Sequence, residues 1–344
     1  MGIDQNKNLD ITADIKATTV IRPIDHLIPQ VDNTQNFSTI RQGVSTNSLT
    51  KFRDVKGNTK IDVITGTATI THNDCILTIP NYKQLAGLKT STYQLLDAIT
   101  IALTESGAKS PTVIIPLSDY MERRGLKDRK AAKTQVKNDM EILRQASFKW
   151  EEKRKGKIET YGFVNLADSG QIHRNGDIEF TFGATFYNTL LGYPIMPYPA
   201  QLQTVNNNNN PNSYYLLRRI EEHKNMNVGK KNENLISVKV LLESAVFIPS
   251  YDEVMAGNKN IASRIIEPFE RDMDALEPTL KWHYCHSNNT PVKDNELQNM
   301  NYDLFKTLLI HTDWIDYPDQ TERLERKAQN IARKKKTASK KKTE

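Results

Sequence analysis

The sequence predicts an α+β protein of two consecutive domains of one kind, with a flexible N-terminal segment and a basic C-terminal tail. Three observations predict it. Short motifs recur in the same order in the two halves, an asparagine run separates the halves, and in each half helix-period patterns give way to strand-like runs of β-branched and aromatic residues. The 344 residues suffice for two ordinary domains.

Residues 1–58 are rich in Asn, Thr, Asp and Gln with no sustained period and read as largely irregular. Ile61, Val63, Ile64, Ile70, Ile76 and Ile79 then mark short strands, broken by Gly66 and Asn73-Asp74. Tyr93, Leu95, Leu96, Ile99, Ile101 and Leu103 have helical spacing, with Thr90 or Ser91 as N-cap and Gly107 closing the element. Thr112-Val-Ile-Ile is a strand, and Pro116 to Gly125 holds a short helix begun by Ser118. A long helix follows over 128–145, with Ala132, Val136, Met140 and Leu143 along one stripe. Phe148-Lys-Trp opens a ribbon whose bend is at Gly156, and further strands fall at 158–166 and 177–182. Helix, strand, helix, basic helix and ribbon are the order of a winged helix. The expected domains are 59–200 and 213–320, joined by an Asn-rich linker at 201–212.

Thr92-Tyr-Gln-Leu-Leu is echoed by Ser213-Tyr-Tyr-Leu-Leu, and Asp139-Met-Glu-Ile-Leu by Asp272-Met-Asp-Ala-Leu. Phe148-Lys-Trp matches Leu280-Lys-Trp, and Tyr193-Pro matches Tyr317-Pro. The fold class is therefore read as two tandem winged-helix domains with β-ribbon wings, and Trp150 and Trp282 are expected at equivalent ribbon positions. In the second copy, helices are expected at 213–225, 239–245 and 260–277, the last disturbed by Pro268, with ribbon strands near 281–284 and 304–310.

Charge locates the function. The formal net charge is +6, yet residues 322–344 hold ten Lys or Arg against three Glu, so the other 321 residues, with 37 basic and 38 acidic groups, sum to −1. Within that body, residues 122–161 carry thirteen basic against seven acidic groups. A charge run alone is usually a solvated face. Here it coincides with a recognition-helix position, whose N-terminal half a winged helix sets in the major groove of duplex DNA. Candidate contacts are Lys127, Arg129, Lys130, Lys133, Thr134 and Lys137 on and before that helix, with Lys153, Arg154, Lys155 and Lys157 on the basic hairpin taken as the wing. In the second copy, Asn258, Lys259, Asn260, Ser263 and Arg264 offer donors, while five acids follow between Glu267 and Glu277. The tail, 321–344, is expected to be disordered and to attract phosphate without reading sequence.

Several classes find no support in the residues. No stretch is long and apolar enough to span a bilayer, so no membrane partner is expected. Two cysteines, Cys75 and Cys285, make no disulfide framework and fit a reducing cytoplasm. His283-Tyr-Cys-His286 has the look of a metal cluster, but strand alternation turns His286 away from His283 and Cys285, so no metal or other cofactor is expected. No phosphate-binding glycine loop, nucleophile elbow or other catalytic constellation is present, and the reading is a binding protein rather than an enzyme.

The arrangement resembles the plasmid replication initiator (Rep) proteins with tandem winged-helix domains. The resemblance rests on Thr112-Val-Ile-Ile-Pro-Leu-Ser-Asp-Tyr, the basic helix with Asp139-Met-Glu-Ile-Leu, the strand Gly176-Asp-Ile-Glu-Phe-Thr-Phe and the second copy, over about residues 60–318. It implies binding to double-stranded DNA with direct repeats at an origin, local opening of that origin, and recruitment of the host initiator and replicative helicase. It also implies a homodimer that represses its own promoter and a monomer that starts replication. The chain departs from the family in its acidic second recognition helix and its long N-terminal segment. Two other classes stay open: a winged-helix transcriptional regulator with no origin role, and a nicking initiator or relaxase. The latter's His-apolar-His strand motif is not found.

Overall fold

Thr90–Glu105 places apolar residues on almost every side, so this helix can be stable only at the centre of a domain; in the computed structural model it is buried over most of its length. The structure describes residues 36–42, 59–62, 64–72, 75–80, 89–154, 157–298, 300–321, 324 and 325. They fall into two units divided between Asn209 and Asn210; Asn36 and Phe37 count with the second, and the strand that begins at Phe37 lies otherwise in the first. The architecture is mixed α+β with small antiparallel sheets.

In the first unit the elements are β1 (Phe37–Arg41), β2 (Thr59–Ile61), β3 (Ala68–His72), β4 (Cys75–Ile79), α1 (Thr90–Glu105), β5 (Thr112–Ile115), α2 (Leu117–Arg123), α3 (Arg129–Gln145), β6 (Ser147–Arg154), β7 (Lys157–Asn165), β8 (Ala167–Ile172), β9 (Ile178–Phe182), α4 (Ala184–Leu191), β10 (Ile195–Pro199) and α5 (Gln201–Thr204). The stripe Ala132, Val136, Met140 and Leu143 is buried as its spacing requires, against Leu95, Ile99, Phe180 and Phe182. Truncating such a core side chain to Ala typically costs about 2–5 kcal/mol. β5, β9 and β8 form a three-stranded sheet in that order, beside α3.

The basic hairpin sits elsewhere than expected. β6 and β7 belong to a five-stranded sheet, β2-β3-β4-β6-β7, in which Trp150 of β6 is opposite Cys75 and Gly162. The ribbon that completes the three-stranded sheet is instead β8–β9, turning at residues 173–177. The wing is therefore not at Lys153–Lys157. An unpaired edge of β4 takes β6, and sequence alternation alone does not say which edge a strand will join.

The division between the units falls within residues 201–212, the expected linker, part of which is packed while Thr204, Asn206, Asn208 and Asn209 are exposed. Leu202 and Gln203 are buried, Gln94 and Gln203 exchange side-chain-to-backbone hydrogen bonds, and Asn207 Nδ2 donates to Gln94 Oε1 at 3.1 Å. Of residues 1–58, only 36–42 are described, and Phe37–Arg41 is a strand paired with β10. Apart from Thr321, Leu324 and Glu325, the basic tail lies outside the described residues.

The second unit holds α6 (Ser213–Asn227), β11 (Leu235–Ser237), α7 (Val238–Leu242), α8 (Tyr251–Ala256), a π-helical turn at Ala262–Ile266, α9 (Glu267–Asp274), β12 (Leu280–Cys285), α10 (Asp294–Gln298), α11 (Tyr302–Phe305) and β13 (Leu309–Trp314). The helix expected over 260–277 is divided as Pro268 suggested, with that proline in the first turn of α9. The last strand lies later than expected, because Asn301 caps a helical turn by accepting from Leu304 N at 2.9 Å. The sheet order is β11-β13-β12. Trp282 stands on β12 opposite Thr312. Trp150 thus stands on a strand of the five-stranded sheet and Trp282 on a strand of a three-stranded one.

The other echo has a structural basis. Asp139 on α3 is buried, and its Oδ1 accepts from Ser91 Oγ at 3.0 Å and Thr92 Oγ1 at 2.7 Å in the first turn of α1. In the second unit Asp272 on α9 accepts from Asn212 N at 3.0 Å and Asn212 Nδ2 at 2.8 Å, while Ser213 Oγ donates to its carbonyl at 2.6 Å. Burial pushes the Asp139 carboxyl up from its ordinary value, an effect the Thr92 and Ser91 hydroxyls and Arg124 only partly oppose. Its Oδ2 meets no donor among the described residues.

A carboxyl raised in the folded state stabilises fully below its unfolded pKa, and that contribution is lost as pH rises through the folded value. Asp139→Asn keeps an acceptor for the two hydroxyls and removes this dependence. Its melting temperature at neutral pH should stay near the parent's and fall less with rising pH. Asp139→Ala strands both hydroxyls and should cost about 2–3 kcal/mol, read by thermal denaturation across pH.

Candidate nucleic-acid interface

α3 begins where the Asp128 carboxylate accepts from the backbone N–H groups of Lys130 at 2.8 Å and Ala131 at 3.0 Å. From that start, Lys130, Lys133, Thr134 and Lys137 fall on the exposed face opposite the buried stripe, with Lys127 exposed just ahead. Among the described residues no hydrogen bond or ion pair engages the ammonium groups of Lys127, Lys130, Lys133 or Lys137, which leaves them available to an anion. Thr134 Oγ1 donates to the Lys130 carbonyl at 3.0 Å, so only its lone pairs face outward.

Arg129 is the exception. Its Nη2 donates to the Asn175 carbonyl at 2.6 Å, fastening the 173–177 turn to the start of α3. Gly176 makes this approach possible: its φ is +100°, and a Cβ there would lie 2.8 Å from the same guanidinium nitrogen and 3.2 Å from Leu117. The turn is shaped by Asn175, whose Oδ1 accepts from Asp177 N at 3.1 Å and whose Nδ2 donates to Asp177 Oδ2 at 2.8 Å. Arg174 at its tip is exposed, and His173 Nε2 lies 2.8 Å from Glu179 Oε2, which holds the Glu179 carboxyl below its usual range.

Between α3 and β8 runs a groove of about 510 Å³, lined by Lys133, Thr134 and Lys137 on one side and Ser169, Gly170 and Gln171 on the other. Met140 floors it, seated over Gly170, where an added Cβ would meet Met140 Cε at 2.5 Å. Arg144 at the far end is held by Glu141, with Nε to Oε2 at 3.0 Å. That bond draws the Glu141 carboxyl below its usual range and cancels the arginine's charge locally.

The structure thus gathers Lys127, Lys130, Lys133, Thr134 and Lys137 on one face and diverts Arg129 to a positioning role. It separates the basic hairpin from them by sheet. The strands carrying Lys153, Arg154 and Lys157 are placed, but their side chains, and Lys155 altogether, lie outside the described residues. The sequence reading passes over the 173–177 turn, although Asn175-Gly176 between two strands is a strong short hairpin signal.

In the second unit Asn258, Lys259, Asn260, Ser263 and Arg264 are all exposed at the entry to the helical segment. Asn258 Oδ1 accepts from Asn260 N at 3.2 Å, and Asn260 Oδ1 from Ser263 N at 3.3 Å. Lys259 is held at φ +60°, a left-handed conformation that costs a lysine about 1–2 kcal/mol. The five acids that follow are not all on the surface. Asp272 is buried, and Glu270 is half-buried, its carboxyl raised by burial and accepting from Tyr284 OH at 3.1 Å.

Lys133→Ala and Lys137→Ala should each melt within about 0.5 kcal/mol of the parent, being exposed and unpaired. Each should weaken duplex DNA binding and flatten the log–log salt slope by about 0.9 for every phosphate no longer neutralised. Lys259→Gly should leave the melting temperature unchanged or higher while lowering DNA affinity, since glycine relieves the left-handed backbone and removes an exposed ammonium. A lowered melting temperature with intact affinity would assign Lys259 to folding alone.

No family model matches the chain, and no curated protein matches it. Solved structures do. The chain is similar to the WH1 domain of MSBI1.176, a replication protein isolated from a multiple sclerosis patient, at 18% identity over 30% of this chain and 79% of that one, with a TM-score of 0.24. It is also similar to domains 2 and 3 of RctB, in one structure at 9% identity over 80% of this chain and 99% of that one, with a TM-score of 0.45. A second structure of those domains matches at 8% identity over 81% and 99%, with a TM-score of 0.40.

Proposed function

We propose that the chain is a sequence-specific duplex DNA-binding replication initiator of a plasmid or similar mobile element. It binds direct repeats at an origin through two tandem winged-helix domains, helps to open that origin and recruits host replication proteins. The observation that carries this reading is the face of α3: Lys130, Lys133 and Lys137 are solvent-facing beside the β8–β9 ribbon, with no hydrogen bond or ion pair to their ammonium groups among the described residues. A major groove admits a helix in that position, and phosphates on either side attract the lysines.

Each unit's order of elements supports the tandem reading. A helix (α1, α6), a short strand (β5, β11), a short helix (α2, α7), a later helix with a buried Asp (α3, α9) and a ribbon (β8–β9, β12–β13) occur in the same sequence. The strand order first, third, second is common to both. On this reading the first domain supplies most phosphate contact, and the entry turn at 258–264 in the second adds a smaller set of donors. The basic tail follows phosphates without selecting bases.

The deciding experiment is a footprint of the full chain on the DNA flanking its own gene, together with incubation on supercoiled DNA of the same region with Mg²⁺ or Mn²⁺. Evenly spaced protection over direct repeats, with the DNA left uncut, is expected. Protection of a single promoter site would favour a transcriptional regulator, and a relaxed or covalently linked product a nicking enzyme.

A further inference from the structure

We propose that His283, His311 and Asp313 form a site for a divalent transition-metal ion of the zinc class, bridging β12 and β13. The proposal is independent of the DNA-binding reading. His283 and His311 are direct partners in the antiparallel register, and Asp313, two residues along β13, returns to the same face. The imidazole rings lie 4.9 Å apart between centroids and 30° from parallel. One ligand atom from each of the three side chains lies within 4.8 Å of the others.

The donor set decides the class of ion. Two imidazoles and one carboxylate suit zinc and its first-row neighbours, whereas calcium and magnesium prefer oxygen alone. With metal–nitrogen bonds of about 2.0–2.1 Å, the ligand atoms must draw together by roughly an ångström. His283 and Asp313 are exposed and free to turn. His311 Nδ1 points toward this space without a hydrogen-bond partner among the described residues, 3.6 Å from the Asp313 carboxylate, and is itself buried. Lys281 stands opposite Asp313 in the register but makes no ion pair with it among the described residues. His286 is engaged with Glu296 at 3.2 Å instead.

The ion would fasten two strands whose connection, residues 286–308, is long, so its effect should appear as stability of this sheet. The test is Zn²⁺ titration of the chelator-treated full chain by calorimetry, with Co²⁺ absorption and melting temperature as second readouts. One equivalent of Zn²⁺ should bind with a raised melting temperature, and Mg²⁺ should not replace it. His283→Ala and His311→Ala should each weaken binding about tenfold or more, and His286→Ala should not. Because His283 is exposed, His283→Gln provides a variant that keeps the fold if His311→Ala does not, with folding checked by circular dichroism. Binding that survives in both His283 variants, or no Zn²⁺ binding at all, would overturn the site.

Discussion

A carboxylate buried where two helices meet is the constraint from which the first unit's geometry follows. Asp139 ties α3 to the first turn of α1 through Ser91 and Thr92, and Arg124, at the end of α2, lies close enough to act on it electrostatically. Tyr120 on α2 is buried beside Arg124, its hydroxyl accepting from Nη1 at 3.2 Å and pushed up to about 12 by that burial. Three helices thus share one buried polar node. An apolar core tolerates sliding; a node of directional bonds does not. The lysines of α3 face outward along one line because this node fixes how the helix is rotated about its axis.

The second unit solves the same problem with different chemistry. Asp272 Oδ2 accepts from the backbone and side-chain amides of Asn212, its Oδ1 accepts from Arg271 Nε at 2.8 Å, and Asn212 Oδ1 in turn accepts from Phe247 N at 2.8 Å. The buried Asp persists while its partners change from hydroxyls to an asparagine amide and a guanidinium. That is why the echo is visible around the aspartates and weak between them.

What the sequence makes legible follows from period. The 3.6-residue spacing places Ala132, Val136, Met140 and Leu143 inside and, by subtraction, Lys130, Lys133 and Lys137 outside. The short strands 61–79 and the break at Pro268 are equally local. What it cannot show is non-local. That β6 pairs with β4, so that the basic hairpin leaves the small sheet, depends on strands contributed from residues 59–79. That Asp272 and Glu270 are withdrawn from the surface depends on Asn212 and Tyr284, distant in sequence from those acids or across a strand from them. A count of charges along a helix treats every carboxylate as exposed, and here it overstates the acidity of the second helix. Likewise the sequence sets His283 against its neighbour His286, whereas its partner is His311 across the sheet.

The bond from Arg129 to the Asn175 carbonyl ties the 173–177 turn to the start of α3. A protein with a loose ribbon can widen or narrow its span to suit the helix it meets. This tie opposes such a change. For a protein that grips a duplex as proposed, the distance between the major-groove helix and the adjoining backbone contact is set in advance, and the duplex must supply the adjustment. Steps that twist or bend cheaply would then be favoured at base pairs no side chain reaches, so part of the selectivity would reside in the mechanics of the DNA itself.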